Sequence, residues 1–153
     1  MTLIRKAERF ISIVDKIKQK GINPSSPMFI HAVRALACMS THNFERKWTV
    51  YREFGFSEVD ILSVFRKQPV CMRLSEEKLR KGLHFFMKQL KWDSTYLSKY
   101  SVVLMCSMEK RVIPRCAMLE ILILKGVLER NAIVGDVFKL TEKEFVEKFV
   151  IKY

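Results

Sequence analysis

Acidic residues are scarce in this sequence: 16 Asp and Glu stand against 28 Lys and Arg, a formal charge of +12. Such an excess favours polyanionic partners, nucleic acid first and an anionic membrane surface second. No run of 18 apolar residues occurs, so a membrane-inserted helix is not expected. The most apolar window, Cys116 to Leu124, is short and broken by Glu120. No signal peptide is visible, and Glu8 and Asp15 make the first twenty residues a folded amphipathic helix rather than an acid-poor transit peptide. An organellar address, if the protein has one, lies outside this sequence. Cys38, Cys71, Cys106 and Cys116 form no C-x-x-C pair, and His31, His42 and His84 add no ligand cluster, so no metal is expected and the thiols read as reduced. There is no phosphate-binding loop, nucleophile elbow or histidine pair at metal spacing. We therefore expect no enzyme, no cofactor and no small-molecule substrate. Glu58 and Asp60 follow Ser57 and suit the first turn of a helix better than a catalytic pair. No alternating segment of strand length competes for a sheet.

What is present is helical. The chain is 153 residues long and 49 % hydrophobic, enough for a core. Leu3, Ile4, Ala7, Phe10, Ile11, Val14 and Ile17 recur at steps of three and four, predicting a one-sided helix over 3–18 that Gly21 ends. Ser26 before Pro27 starts a second helix, Thr41 to Phe54 spans a third, and Ser57 caps a fourth that stops before Pro69. Ser75 opens a fifth with Leu79, Leu83, Phe86, Met87 and Leu90 on its buried side. Asp93 caps a short helix through Lys99, and Ser107 caps one that reaches Lys125, kinked at Pro114. Thr141-Glu142-Lys143-Glu144 fits a capping box. The fold class is all-α.

The caps also repeat. Met39-Ser40, Leu74-Ser75, Cys106-Ser107 and Leu140-Thr141 each set an apolar residue before a helix-starting hydroxyl, at steps of 35, 32 and 34 residues. A period in the thirties means two helices per unit. A single pair cannot bury its apolar faces, whereas stacked pairs can, so a solenoid of helix pairs is favoured over a closed bundle. The approximate repeats are 1–39, 40–74, 75–106 and 107–140, with a terminal helix 141–153, together one helical-repeat domain. The tetratricopeptide Trp-Leu-Gly-Tyr signature and the ankyrin T-P-L-H motif are absent.

Gly55-Phe56-Ser57-Glu58, Asp60-Ile61-Leu62, Phe65-Arg66-Lys67-Gln68-Pro69 and Ser107 through Cys116 resemble the plant branch of the mitochondrial transcription termination factor family. So does the ending from Leu140 to Val150. The resemblance covers roughly residues 20–153. It implies a right-handed or curved array of helix-pair repeats of about 32–35 residues, of which this chain is the C-terminal part. It also implies nucleic-acid binding in organellar gene expression, with double-stranded DNA first and RNA second, in a mitochondrion or alternatively a chloroplast. Ser101 stands where the family usually has the repeat proline, which predicts a softer turn there.

For the binding surface, Lys81, His84, Lys88 and Lys91 recur at helical spacing opposite the apolar side of their helix, as do Arg5, Arg9, Lys16 and Lys20 on the first. Any one of them alone reads first as an ordinary solvated residue, and the case for a binding surface rests on the aggregate. Arg66 and Lys67 end a helix, where they would also complement its dipole. Arg111 and Arg115, beside Pro114, would equally face a neighbouring repeat. Trp48, Trp92 and Tyr96 could stack on bases or simply belong to the core. A monomer is expected. The rival readings are an RNA-processing factor, a scaffold whose basic face meets an acidic protein, and a peripheral membrane protein.

Overall fold

A computed structural model describes residues 2–153, so the first residue of the expected repeat 1–39 lies outside it. Every regular element among the described residues is helical. The chain falls into two compact units, one running to Ser101 and the other Val102–Tyr153.

The first unit holds α1 (Leu3–Gln19), α2 (Pro27–Ala37), α3 (Thr41–Glu53), α4 (Glu58–Lys67), α5 (Glu76–His84) and α6 (Ser94–Lys99). Local chemistry sets most of the starts. The hydroxyls of Ser26, Ser40, Ser57 and Ser75 accept backbone N–H groups of Met28, Asn43, Asp60 and Lys78, and the Asp93 carboxylate accepts that of Tyr96. Each satisfies a donor that the first helical turn leaves open. After α4 the chain turns through a 3₁₀ helix, Pro69–Arg73, whose residues pack on α2, α3 and α4. A second 3₁₀ helix, Ser101–Met105, follows α6. At Ser101, where the proline is missing, the chain forms this 3₁₀ turn with Ser101 buried and its carbonyl accepting the Cys71 thiol at 3.4 Å. A buried backbone with its own partner holds this turn without proline.

α4 packs against α2 and α6, and α3 against α4 and α5. The core contains Phe44, Tyr51, Ile61, Phe65, Leu79, Leu83, Phe86 and Leu97. Phe44 meets Phe65 edge-on, 5.6 Å between centroids. Asp60 on α4 accepts the Ser94 hydroxyl of α6 at 3.1 Å, joining the starts of these two helices. Ion pairs add a surface tie. Arg80 on α5 reaches Glu53 on α3 at 2.7 Å and Glu76 at 3.0 Å, and Arg46 on α3 also takes Glu76.

Two expectations for the first unit change. The fifth helix is not α-helical to Leu90: after His84 it widens into a π turn, Phe85–Gln89. And α1 buries only Ile17; Leu3, Ile4, Phe10 and Ile11 are 84, 72, 56 and 59 % exposed. α1 has 17 residues and α2 only 11, and Arg9 already meets Ala37, the last residue of α2. The turns of α1 before Arg9 therefore outrun their partner.

Gly21 and Gly55 close α1 and α3 at φ +87°, the left-handed region that costs a side chain about 1 kcal/mol. Space around Gly55 is open, but a Cβ on Gly21 would lie 2.6 Å from Nη2 of Arg66. Gly55→Ala should lose about 1 kcal/mol by thermal melting. Gly21→Ala should lose roughly 1 kcal/mol more, because Arg66 must also leave its hydrogen bond to the Lys20 carbonyl. Equal losses would show that Arg66 yields without cost.

The second unit holds a π turn, Met108–Val112, then α7 (Ile113–Leu124), α8 (Gly135–Lys139), α9 (Glu142–Phe145) and a closing π turn, Val146–Ile151. Pro114, expected to kink a continuous helix, instead sits in the first turn of α7, directly after the π turn. Its missing N–H costs least there. Thr141 and Glu144 form the expected reciprocal capping box.

Candidate nucleic-acid interface

The structure disperses the expected stripes into different environments. On α5, Lys81 and His84 are exposed, with Lys81 paired to Glu77 one turn earlier at 3.1 Å. Lys88 is exposed but lies across the π turn, which breaks the 3.6-residue register. Lys91 is off the helix, in left-handed backbone at φ 61°. The turn around it is closed by the Trp92 N–H on the Phe86 carbonyl at 2.9 Å and by Trp92 stacked on Phe86, centroids 4.9 Å apart. The four residues therefore do not form one straight row, because the widened turn rotates the later ones.

On α1, Arg5 is exposed, and Arg9 donates from Nη2 to the Ala37 carbonyl at 3.1 Å. Lys16 and Lys20 are half-buried over aromatic rings. The Lys16 ammonium is 6.0 Å from the Phe44 centroid, and that of Lys20 is 3.9 Å from the Trp48 centroid. Loss of water around the ammonium lowers the Lys20 pKa from its ordinary value, with Glu45 opposing. Such a cation–π seat ties Lys20 to the α1–α3 contact.

Arg66 is exposed, yet its Nε–H donates to the Lys20 carbonyl at 2.8 Å, serving the end of α1 rather than its own helix. Lys67 beside it is exposed. Arg111 is half-buried and donates to the Phe138 carbonyl at 3.3 Å. Arg115 is 2 % exposed. Its Nη1 donates to the carbonyls of Val137 and Leu140 at 2.8 and 2.7 Å, and its guanidinium lies 4.8 Å from the Phe145 ring. Both arginines thus turn inward to the carbonyls that end α8, the alternative of facing a neighbouring element. Arg115 has no surface left for a phosphate, a correction forced by its burial.

The aromatic candidates are also occupied. Trp48 is buried and its Nε1–H donates to Glu58 at 2.9 Å. Glu58 also takes Arg52 at 2.6 Å, and these two hydrogen bonds hold its carboxyl below the usual range, Arg52 contributing most. Trp92 and Tyr96 belong to a run of ring contacts, 4.9 Å apart from one another and continuing to Tyr100. The inter-helix roles of Arg46, Arg52 and Arg80 were not legible, since most of their partners lie outside the one-turn spacing that a sequence displays.

No group of three potential metal ligands occurs among the described residues, and no helix there is long and apolar enough to cross a membrane. Burial pushes the Cys116 thiol up to about 12, with Glu120 adding to it, so it is no nucleophile at neutral pH.

A family model, mTERF, matches residues 3–146. The chain belongs to the mTERF family. No curated protein and no solved structure matches it significantly. mTERF proteins are nucleic-acid-binding helical-repeat proteins of organellar gene expression. Membership gives the excess of 12 positive charges a partner of matching chemistry.

Proposed function

We propose that this chain is a non-enzymatic module that binds double-stranded DNA in a mitochondrion or chloroplast and acts in transcription termination or its regulation. The family match over residues 3–146 carries the reading. The net charge of +12 supports it, because lysine and arginine that neutralise phosphates release counterions and so bind with little choice of sequence. We read the paired helices as helix-pair repeats 1–39, 40–74, 75–106 and 107–140 with a terminal helix 141–153, binding as a monomer. The recurrent caps at Ser40, Ser75, Ser107 and Thr141 support that division. Arg5, Arg9, Lys16, Lys67, Lys81, His84 and Lys88 remain the phosphate-contacting candidates, Lys91 and Arg66 flank them, and Arg111, Arg115 and Lys20 are given up to packing.

Competition separates the partners. A labelled random duplex DNA bound by the full chain should be displaced by unlabelled duplex DNA at lower concentration than by duplex RNA, and least by poly-glutamate. Stronger displacement by RNA would move the assignment to RNA processing. Displacement by poly-glutamate at equal charge, with no preference for nucleic acid, would support a scaffold for acidic proteins instead.

A further inference from the structure

The strongest unassigned feature of the first unit is a cleft of about 370 Å³ between the middle of α1, the end of α2 and the start of α3. Arg9, Ser12 and Lys16 line one wall, and Ser40 and Thr41 the other, over Ile13, Leu36, Met39 and Phe44. Two cations and three hydroxyls therefore meet an apolar floor, and no carboxylate is among the lining residues. We propose that this cleft seats a phosphate group of a bound nucleic-acid strand, with Arg9 and Lys16 as its two cationic contacts.

The placement follows from helix geometry. Arg9 and Lys16 are seven residues apart, two turns on one face, so their Cα atoms are separated by about 10 Å along α1. Two long side chains of that separation can close on one phosphate from opposite sides. Arg9 is pre-positioned by its bond to the Ala37 carbonyl, made from Nη2. Its guanidinium carries further N–H donors, and a planar fork matches two phosphate oxygens. Lys16 is held over Phe44, which limits the side-chain entropy lost on binding. The apolar floor lowers the local dielectric, so each charge–phosphate contact is stronger here than on an open helix face. The adjoining groove on α1 shares Ser12 and Lys16 but adds Glu8 and Asp15, which would repel an anion. The preference is thereby confined to the α3 side.

The assignment rests on the nucleic-acid reading, but the same chemistry would accept free phosphate, so the test has two arms. In the first, affinity of the full chain for random duplex DNA is measured across a salt series for wild type, R9Q/K16Q and K6Q/K18Q. The last pair removes equal charge from exposed positions on the same helix outside the cleft. R9Q/K16Q should make the slope of log affinity against log salt shallower by about one unit, the 0.9 of the single phosphate seated there, and K16Q alone by no more than that. K6Q/K18Q should leave it nearly unchanged. Equal change in both pairs, or none in R9Q/K16Q, overturns the site. In the second arm, inorganic phosphate is titrated and backbone amide shifts are followed. Shifts at Ser12, Ser40 and Thr41 that vanish in R9Q/K16Q support an anion seat, and their absence in wild type overturns it. If wild type binds no duplex, the nucleic-acid reading falls, and this second arm decides the cleft alone.

Discussion

Replacing Arg115 with alanine should destabilise the Val102–Tyr153 unit by about 3–5 kcal/mol, the largest loss expected from any surface-type residue in this chain. The arginine is 2 % exposed, and its Nη1 serves two carbonyls, of Val137 and Leu140, that have just ended or are about to leave α8. Truncation leaves these acceptors buried without a charged donor, opens a space over Phe145, and removes a cation from the negative end of a helix. The Glu142 carboxylate at 3.4 Å adds little, because its side chain is 74 % exposed. Arg111→Ala is the matched comparison. It loses one bond of 3.3 Å from a half-buried position and should cost about 0.5–1.5 kcal/mol. Hydrogen exchange of the amides in 102–153 reads both. A small loss from Arg115→Ala would mean that water replaces its bonds and that the side chain is a surface group after all.

Leu83→Ala should lose about 2–5 kcal/mol, because Leu83 is fully buried and α5 holds one wall of the first unit's core. Pro69→Ala should lose about 1 kcal/mol, chiefly by freeing the unfolded chain. Pro69 starts the 3₁₀ turn after α4, a place where its fixed φ suits the backbone. Thermal unfolding distinguishes the two. Equal and negligible losses would mean that the 3.6-residue pattern Leu79, Leu83, Phe86 does not mark the core.

That pattern and the caps were readable because both are local. Ser26, Ser40, Ser57, Ser75, Asp93, Ser107 and Thr141 need only the next three residues to satisfy an open N–H, and each does. The π turns at 85–89, 108–112 and 146–151 were not readable, since one extra residue in a turn leaves the apolar order nearly intact. The exposed apolar side of α1 was hidden for a related reason. Periodicity reports that Leu3 and Ile4 share a face with Phe10 and Ile11, but not that α2 ends at the level of Arg9, short of Leu3 and Ile4.

The basic surface was the least legible part. Sequence spacing marks which cations share a helix face, yet the partners that claim them come from afar. Arg80 meets Glu53, 27 residues away, and Arg66 meets a carbonyl 46 residues away. Arg115 stood open between a phosphate contact and a neighbouring repeat, because nothing in Ile113-Pro114-Arg115-Cys116 announces the carbonyls of 137 and 140. Conversely, the cleft at Arg9 and Lys16 arises only when α3 is brought against α1, though both residues stood among the candidates.

The central claim is that this basic chain holds nucleic acid through its phosphates. Its most direct test is the equilibrium affinity of the full chain for random duplex DNA over a range of salt. Each phosphate contact contributes a slope of about −0.9, so several contacts predict a linear fall of log affinity with log salt that is steeper than about −3. Failure to bind duplex at low salt, or an affinity that salt leaves unchanged, would contradict it.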